Sequence, residues 1–244
     1  MDEKEERMVK VCKNCVFLVL VFLLLTSLAN SMERFQATVS FNPGFPLNEF
    51  RENVNKEGLG GSGDFMYKLK GSPFFVGVSF GLMVYGSESR QEWFSPEIPE
   101  VLVNVTTRNS ILICHLLLRL QPPQGKIRPY LDGLVGFNYL WTETGVYDRN
   151  GWGQKIASDV NFSDWTWSIG IGGGLMVPLY EKKRGKNSGH FAICLDFGAR
   201  YFKGGKAEYL KEGSILRENE RLIYEVSESS TDLIALRAGL SFAF

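Results

Sequence analysis

A two-residue alternation of apolar and polar positions dominates the chain after residue 32. From Trp165 to Leu175, large apolar side chains occupy nearly every second position, and threonine, serine or glycine lies between them. Similar alternation recurs at 74–84, 191–201 and 234–244. Because successive side chains of a strand point to opposite faces, each segment has one apolar face and one small or polar face. The pattern predicts long β-strands that separate lipid from a polar interior.

Turn-forming residues divide this region into eight predicted strands. In outer-membrane barrels the periplasmic turns are short and the outer loops are long. The connections here follow that order, with longer polar segments near 47–57, 89–102, 146–162 and 210–220. We therefore predict an all-β fold for residues 32–244, a single eight-stranded antiparallel transmembrane β-barrel with up-and-down meander connections. The predicted strands cover 34–46, 58–70, 73–88, 103–120, 128–145, 163–180, 189–209 and 221–244.

The first 31 residues follow a different pattern. An unbroken apolar run, Val16–Leu25, precedes a short segment of small and polar residues. A run of about ten residues is short for a spanning helix, which needs roughly 20. The pattern therefore favours a cleaved signal peptide at residues 1–31 over a permanent anchor.

Two details of this segment stay open. Cleavage fits after Ala29 or after Ser31. Acidic residues near the N-terminus reduce the positive charge that a signal peptide carries before its apolar run, and translation from Met8 instead of Met1 would remove them.

Charge and composition narrow the possible partners. The 27 Lys and Arg residues balance the 27 Asp and Glu residues, which argues against a nucleic-acid partner. Aromatic residues (13%) and glycines (26) are more frequent than in most soluble domains, as lipid-facing rings and crowded barrel walls would require. A soluble, lipocalin-like ligand binder with ordinary core aromatics is the alternative.

Aromatic residues near the predicted strand ends suggest two belts at the membrane interfaces. One belt would lie at the long-loop end and the other at the short-turn end. The first contains Tyr85, Tyr139, Trp141, Trp165 and Trp167, and the second contains Tyr130, Tyr180 and Phe244.

The last predicted strand carries a specific local signal. Its alternation places Leu240, Phe242 and Phe244 on one face, and the chain stops on the last of these. This ending resembles the terminal strand of bacterial outer-membrane proteins that the barrel-assembly machinery recognises.

Taken together, the predicted signal peptide, the strands and this ending resemble the small outer-membrane β-barrels of Gram-negative bacteria, the OmpA, OmpX and OmpW-like family. The segment Asp196–Leu210 also resembles a family segment in which a late strand continues into an extracellular hairpin. The resemblance implies an outer-membrane location, contact with outer-membrane lipids and assembly by the barrel machinery. Unlike the two-domain OmpA proteins, the chain ends at its predicted barrel, so we expect no periplasmic domain, and we expect no cofactor. The resemblance names no external ligand, because this family hosts several functions.

Charged and titratable side chains also occupy the inward phase of the predicted strands. A barrel of eight strands has a lumen just wide enough for its own side chains. Buried charges are tolerated when they are paired, so we expect a structural salt-bridge network, with a gate or conduction path as the alternative. The predicted lumen residues are Asp64, Lys68, His115, Arg119, Asp132, Asp196, Arg200 and Arg237.

No catalytic, cofactor or metal motif stands out. His115 and His190 are the only histidines, and neither has a nucleophile partner visible in the sequence. Two isolated histidines also do not suggest a metal site. The glycine-rich run Gly170–Gly174 lacks the Lys-Ser/Thr that follows a phosphate-binding loop and lies within a predicted strand.

We therefore predict a non-enzymatic protein with a structural or surface-interaction role through its extracellular loops. One alternative is a narrow porin, or a transport barrel for a small apolar solute, suggested by the glycine-rich inner face of the strand at 163–180. A membrane-embedded lipid-modifying enzyme that uses His115 or His190 is a further alternative.

Overall fold

The computed structural model describes residues 34–95, 98–122, 125–148, 155–183, 190–218 and 221–244. The predicted signal peptide lies outside these residues. Within them the elements are β1 (Phe35–Pro46), α1 (Asn48–Val54), β2 (Gly58–Lys68), β3 (Phe74–Ser95), β4 (Ile98–Leu120), β5 (Arg128–Asp148), β6 (Lys155–Lys183), β7 (His190–Gly204), β8 (Lys206–Glu218), β9 (Arg221–Ser230) and β10 (Leu233–Ala243).

Eight of these strands form a closed antiparallel barrel in the order β1-β10-β7-β6-β5-β4-β3-β2. Strands that follow one another in the chain are neighbours in the barrel, except that β8 and β9 form a separate hairpin between β7 and β10. β1 closes the ring by pairing with β10 from Gln36 opposite Ala243 to Pro46 opposite Leu233. The predicted eight-stranded meander barrel is confirmed.

The β8–β9 hairpin corrects the last two predicted strands. The predicted strand 189–209 consists of β7 and the start of β8, and the predicted strand 221–244 consists of β9 and β10. Alternation continues through both segments because the hairpin, like the barrel, has a buried face and an exposed face. Hydrophobic period alone therefore cannot locate the point near Gly204 at which the chain leaves the barrel.

Three of the predicted loops are largely strand: β8 covers most of the segment 210–220, and two further loops are filled by barrel strands. β3 pairs with β4 as far as Ser95, and β5 pairs with β6 as far as Tyr147, so strands extend into the segments 89–102 and 146–162. These extensions are rich in threonine, serine and asparagine. Because neither of their faces is strongly apolar, alternation of hydrophobicity did not detect them.

The outer wall of the barrel is apolar. Large apolar side chains from all eight barrel strands are exposed, for example Val39 (64% exposed), Leu116 (65%) and Ile171 (65%). A surface of this extent would not be stable in water, and it matches the lipid-facing band of a transmembrane barrel. Within the described residues, no helix has the length and apolar character needed to span a membrane.

Candidate functional site

The centre of the lumen holds a cluster of six charged side chains, here named the charge cluster. Each of them comes from an inward position of a barrel strand and is at most 3% exposed. Three positive and three negative groups balance one another. The members are Asp64, Arg119, Asp132, Asp196, Arg200 and Arg237.

Arg119 and Asp132 form the best-aligned pair of the charge cluster. They lie directly opposite each other in the β4–β5 register. Arg119 donates from Nε to Asp132 Oδ1 at 2.6 Å and from Nη2 to Asp132 Oδ2 at 2.8 Å. Arg200 on β7 also donates to Asp132 Oδ2, at 2.7 Å. Bidentate pairs of this kind fix geometry as well as compensating charge.

Asp64 on β2 connects the positive residues. It accepts hydrogen bonds from Arg200 Nη2 at 2.8 Å and from Arg237 Nη2 at 2.7 Å, and Arg119 Nη2 lies 3.6 Å away. Ser79, its partner in the β2–β3 register, donates to Asp64 at 2.7 Å. One carboxylate therefore ties together four strands besides its own.

Asp196 completes the charge balance toward the short-turn end. It accepts a hydrogen bond from Tyr130 Oη at 2.6 Å and lies 3.5 Å from Arg237 Nη2. The Arg119 guanidinium lies 3.8 Å from the centre of the Tyr130 ring. Tyr130 thus belongs to the lumen.

Tyr130 and Tyr85 correct the predicted aromatic belts. Both are buried inside the barrel or its mouth, whereas Trp165 and Trp167 are exposed on the outer wall as expected. Strand alternation would have placed Tyr130 correctly, because Tyr130 lies two residues from the inward Asp132 and therefore shares its face. Position near a strand end gave the wrong assignment.

Two predicted lumen residues lie outside the charge cluster. Lys68 is half-buried near the short-turn end of β2. His115 is buried and stacks on Phe202, with ring centroids 5.1 Å apart, in the layer on the long-loop side of the cluster. The structure therefore brings six of the eight predicted residues together.

The two histidines are also not brought together. His115 lies in mid-lumen, whereas His190 begins β7 at the short-turn end, and its side chain is outside the described part of the structure. Among the described residues, no group of three or more His, Cys, Asp and Glu side chains is arranged to hold a metal ion.

The glycines of β6 make room for the charge cluster. A Cβ at Gly172 would collide with the Arg200 side chain, and a Cβ at Gly174 would collide with the Tyr130 hydroxyl. The glycine-rich inner face that suggested a solute route is therefore already filled by protein side chains. Glycine is needed here because another part of the protein approaches the backbone closely.

Apolar layers fill the lumen on both sides of the charge cluster. Met83, Ile113 and Phe202 belong to the layer on the long-loop side, and Met176 and Cys194 belong to the layer on the short-turn side. The best-defined cavity lies against the first layer and measures about 20 Å³, which is room for about one water molecule. The described lumen is a packed core.

The long-loop end of the lumen is covered by a group of side chains here named the mouth cap: Phe50, Tyr85, Tyr209 and Leu210. Each is at most 2% exposed. The Phe50 ring from α1 lies 5.4 Å from the Tyr85 ring and 5.5 Å from the Tyr209 ring. Burial raises the pKa of the Tyr209 phenol above its usual value.

Strands β3 to β6 continue beyond the rim of the barrel as a four-stranded projecting sheet. The β2–β3 ladder ends at Val84, whereas β3 remains paired with β4 as far as Ser95. The β6–β7 ladder begins only at Ser168, whereas β6 already pairs with β5 at Lys155. Residues 85–95 span about 35 Å along the strand at 3.3 Å per residue.

Hydroxyl and amide side chains connect the strands of the projecting sheet. Ser89 Oγ and Thr106 Oγ1 are 2.9 Å apart, and Thr107 Oγ1 and Thr144 Oγ1 are 3.1 Å apart. Asn161 Nδ2 donates to Thr144 Oγ1 at 2.7 Å. Cross-strand pairs of this type stabilise a sheet that stands in water.

The projecting sheet has two outer strands, β3 and β6. In the described ladders, residues 85–95 of β3 pair with β4 alone, and residues 155–163 of β6 pair with β5 alone. A strand edge of this kind presents backbone N–H and C=O groups to another chain.

Comparison with known proteins finds solved structures of similar fold with low sequence identity to this chain. No family model and no curated protein matches the chain. Among solved structures it is similar to Neisserial surface protein A, with 12% identity, a TM-score of 0.42 and coverage of 86% of this chain and 97% of that one.

Two further solved structures show the same level of likeness. The attachment invasion locus protein Ail of Yersinia pestis, solved with the heparin analogue sucrose octasulfate, has 13% identity, a TM-score of 0.37 and coverage of 87% and 100%. A major outer membrane protein from Thermus thermophilus has 12% identity, a TM-score of 0.41 and coverage of 86% and 99%. These values carry no argument about function, and the barrel assignment rests on the strand register of the chain itself.

Proposed function

We propose that the protein acts at the outer surface of the outer membrane as a non-enzymatic recognition protein that presents its projecting sheet to an external partner. The apolar outer wall supports a membrane location, because water would not solvate it, and the closed ladder leaves no barrel edge unsatisfied in lipid. The predicted signal peptide and the aromatic C-terminal strand support export to the outer membrane. The projecting sheet is the observation that carries the recognition role.

The partner that fits this surface is a protein with an extended segment. In the described ladders, β3 at residues 85–95 has β4 as its strand neighbour and β6 at residues 155–163 has β5, and an added strand would pair along the other side of either strand. Affinity would come from main-chain hydrogen bonds, and selectivity would come from the side chains beside them.

A pore function is less well supported. An ion crossing the lumen would have to displace side chains that are already bonded to one another in the charge cluster, and it would then meet the mouth cap. Separating one member of a buried ion pair from its partners leaves an uncompensated charge, which typically costs about 3–5 kcal/mol.

Removal of the outer part of the projecting sheet tests the proposed recognition role. Ser87 lies opposite Arg108 in the β3–β4 register, so residues 88–107 can be replaced by a two-residue Asn-Gly turn without changing the barrel ladder. Cells that display the native protein are expected to adhere to plates coated with an unfolded protein, which offers extended segments, or to one another, more than cells that display the trimmed variant.

The control for this experiment is the amount of folded barrel. Both proteins should reach the outer membrane in equal quantity and show the same heat-dependent gel mobility. Equal adherence and equal settling of the two cell types, with both barrels folded, would contradict the recognition role of the sheet.

A further inference from the structure

The hairpin β8–β9 is attached to the barrel without being part of its ladder. β7 and β10 pair directly with each other from Phe202 opposite Leu233 to Ala192 opposite Ala243. The chain leaves this ladder after Phe202 and returns to it at Leu233. Gly204 still pairs with Ser168 on β6, so movement of the residues beyond it would break no hydrogen bond of the barrel ladders.

The part of the hairpin next to the barrel has a buried face toward the lumen and an exposed face toward solvent. We name residues 206–211 and 225–230 the lid. Ala207 and Tyr209 on its inner face are buried, whereas Lys206 and Glu228 on its outer face are exposed and lie 3.5 Å apart. The inner face packs on the apolar layer of the upper lumen, so the lid shields that layer from water.

In the described structure, individual hydrogen bonds, and no strand ladder, hold the lid to its surroundings. On β9 the Ser230 N–H donates to Glu49 Oε2 at 3.2 Å, and this bond is solvent-exposed. On β8 the Tyr209 side chain is hydrogen-bonded with Asn53 of α1. Asn109 Nδ2 donates to the Leu210 carbonyl at 3.0 Å. The Glu208 backbone N–H donates to Asp164 Oδ2 at 2.9 Å, and this bond is solvent-exposed. Exposed hydrogen bonds contribute little to stability because water competes for both groups.

The two chain segments at the base of the lid cross very closely. A Cβ at Gly204 would collide with Thr231, and a Cβ at Gly205 would collide with Thr166 and Trp167. Backbone bonds from Gly205 N–H to Trp167 O at 2.9 Å and from Thr231 N–H to Gly205 O at 3.2 Å fix this crossing. A fixed base below a cover that is held by side-chain packing and single hydrogen bonds, without a ladder to the barrel, is the arrangement of a hinge.

We propose that the lid opens as a unit about Gly204–Gly205 and admits small water-soluble molecules to the upper lumen. The charge cluster remains in place below, so the opened lumen is a blind vestibule and not a channel. Its wall includes Met83, Ile113, Phe202 and Ala235, and its floor includes Arg200. This inference concerns the lumen and is independent of the recognition role proposed for the projecting sheet.

A cysteine placed under the lid tests this inference. Cys114 and Cys194 form no disulfide in the described structure and can be changed to alanine, leaving a background without reactive thiols in residues 32–244. Ala235→Cys then places one thiol in the buried layer, and Ser158→Cys gives an exposed reference on β6. The measurement is the rate at which a charged, membrane-impermeant methanethiosulfonate reagent added outside the cells modifies each thiol.

With the native lid, the Ala235→Cys thiol is expected to react at least 100-fold more slowly than the Ser158→Cys thiol. Tyr209→Ala removes a ring from the mouth cap and should raise the Ala235→Cys rate at least tenfold. Tyr139→Ala, which removes a tyrosine of the outer wall, should leave that rate unchanged. Asp164→Ala, a milder change at the lid edge, should raise the rate about threefold.

Heat-dependent gel mobility identifies the variants that have folded, and only these are compared. Equal rates for the two thiols with the native lid would overturn the inference, because the mouth would then be open already. No reaction of the Ala235→Cys thiol in the folded Asp164→Ala and Tyr209→Ala variants would also overturn it, because the hairpin would then be a fixed part of the core.

Discussion

Asp64 is the residue on which the charge cluster depends most. Three arginines and Ser79 reach its carboxylate within a few ångströms. Sequence phase predicted that Asp64 faces the lumen, but it could not show which arginines would reach it. That information lies in the register between strands distant in sequence, such as Arg237 on β10.

Asp64→Asn leaves one uncompensated positive charge in the lumen. We expect it to lower the free energy of unfolding by about 3–5 kcal/mol, the usual cost of breaking a buried ion pair from one side. The measurement is urea unfolding of the refolded protein in lipid vesicles, followed by tryptophan fluorescence. Lys68→Gln on the same strand is the matched control and should change stability by less than about 0.5 kcal/mol; equal losses would contradict the central role of Asp64.

The stability of the mouth cap is expected to fall at alkaline pH because of Tyr209. Burial raises its pKa, with a smaller contribution from the Glu49 carboxylate, while a hydrogen bond with Ser229 acts in the opposite direction. A group whose pKa is raised on folding contributes its full stability below its unfolded pKa, about 10 for tyrosine. That contribution is lost as the pH rises from there through the folded-state pKa.

Spectrophotometric titration at alkaline pH measures this shift. The difference between the native protein and Tyr209→Phe isolates the titration of the one phenol. We expect its midpoint above pH 10, and a midpoint at or below 10 would show that the ring is not enclosed.

Among the elements, β6 shows how one strand creates space for others. The space beside its inward glycines is occupied by the side chains of Arg200 from β7 and Tyr130 from β5. The sequence showed that Gly170–Gly174 lies in a strand wall, but it left open whether solute or protein would occupy the space. Only the neighbouring strands decide that, and they are not adjacent in sequence to the glycines.

Gly174→Ala tests whether this space is needed for packing. The added methyl group would collide with Tyr130 Oη and with the Phe197 carbonyl, and overpacking of this kind typically costs about 1–3 kcal/mol. Gly133→Ala on β5 is the control, since its Cβ would face outward with its nearest neighbour 4.0 Å away. Urea midpoints in vesicles should fall for the first variant and stay constant or rise for the second; equal midpoints would contradict the packing role.

At the scale of the whole molecule, a filled lumen and an apolar outer wall predict a membrane barrel that does not conduct. Reconstituted in a planar bilayer, the native protein should show no steady ionic conductance, and on gels it should migrate differently before and after heating. The gel experiment is the control for folding. Steady single-channel conductance from heat-modifiable protein would favour the porin alternative.

The overall fold was more predictable than the details of its ends. Alternation identifies lipid-facing strands because the membrane imposes one strong contrast between their two faces. In the projecting sheet this contrast is lost, so that sheet was missed. In the lid an alternation of buried and exposed positions persists, so the lid was merged with its neighbouring strands. The segments proposed for recognition and opening are therefore those that hydrophobic pattern describes least well.

The closure of the barrel joins the two ends of the described chain. The Phe35 N–H donates to the Phe244 carbonyl at 2.8 Å, and the Phe244 N–H donates to the Phe35 carbonyl at 2.9 Å. Without β10, β1 and β7 each have an open edge, and lipid offers no hydrogen-bond partner for the backbone N–H and C=O groups along it. A truncation within β10 would therefore remove the seam that closes the barrel, and two strands would lose this partner at once.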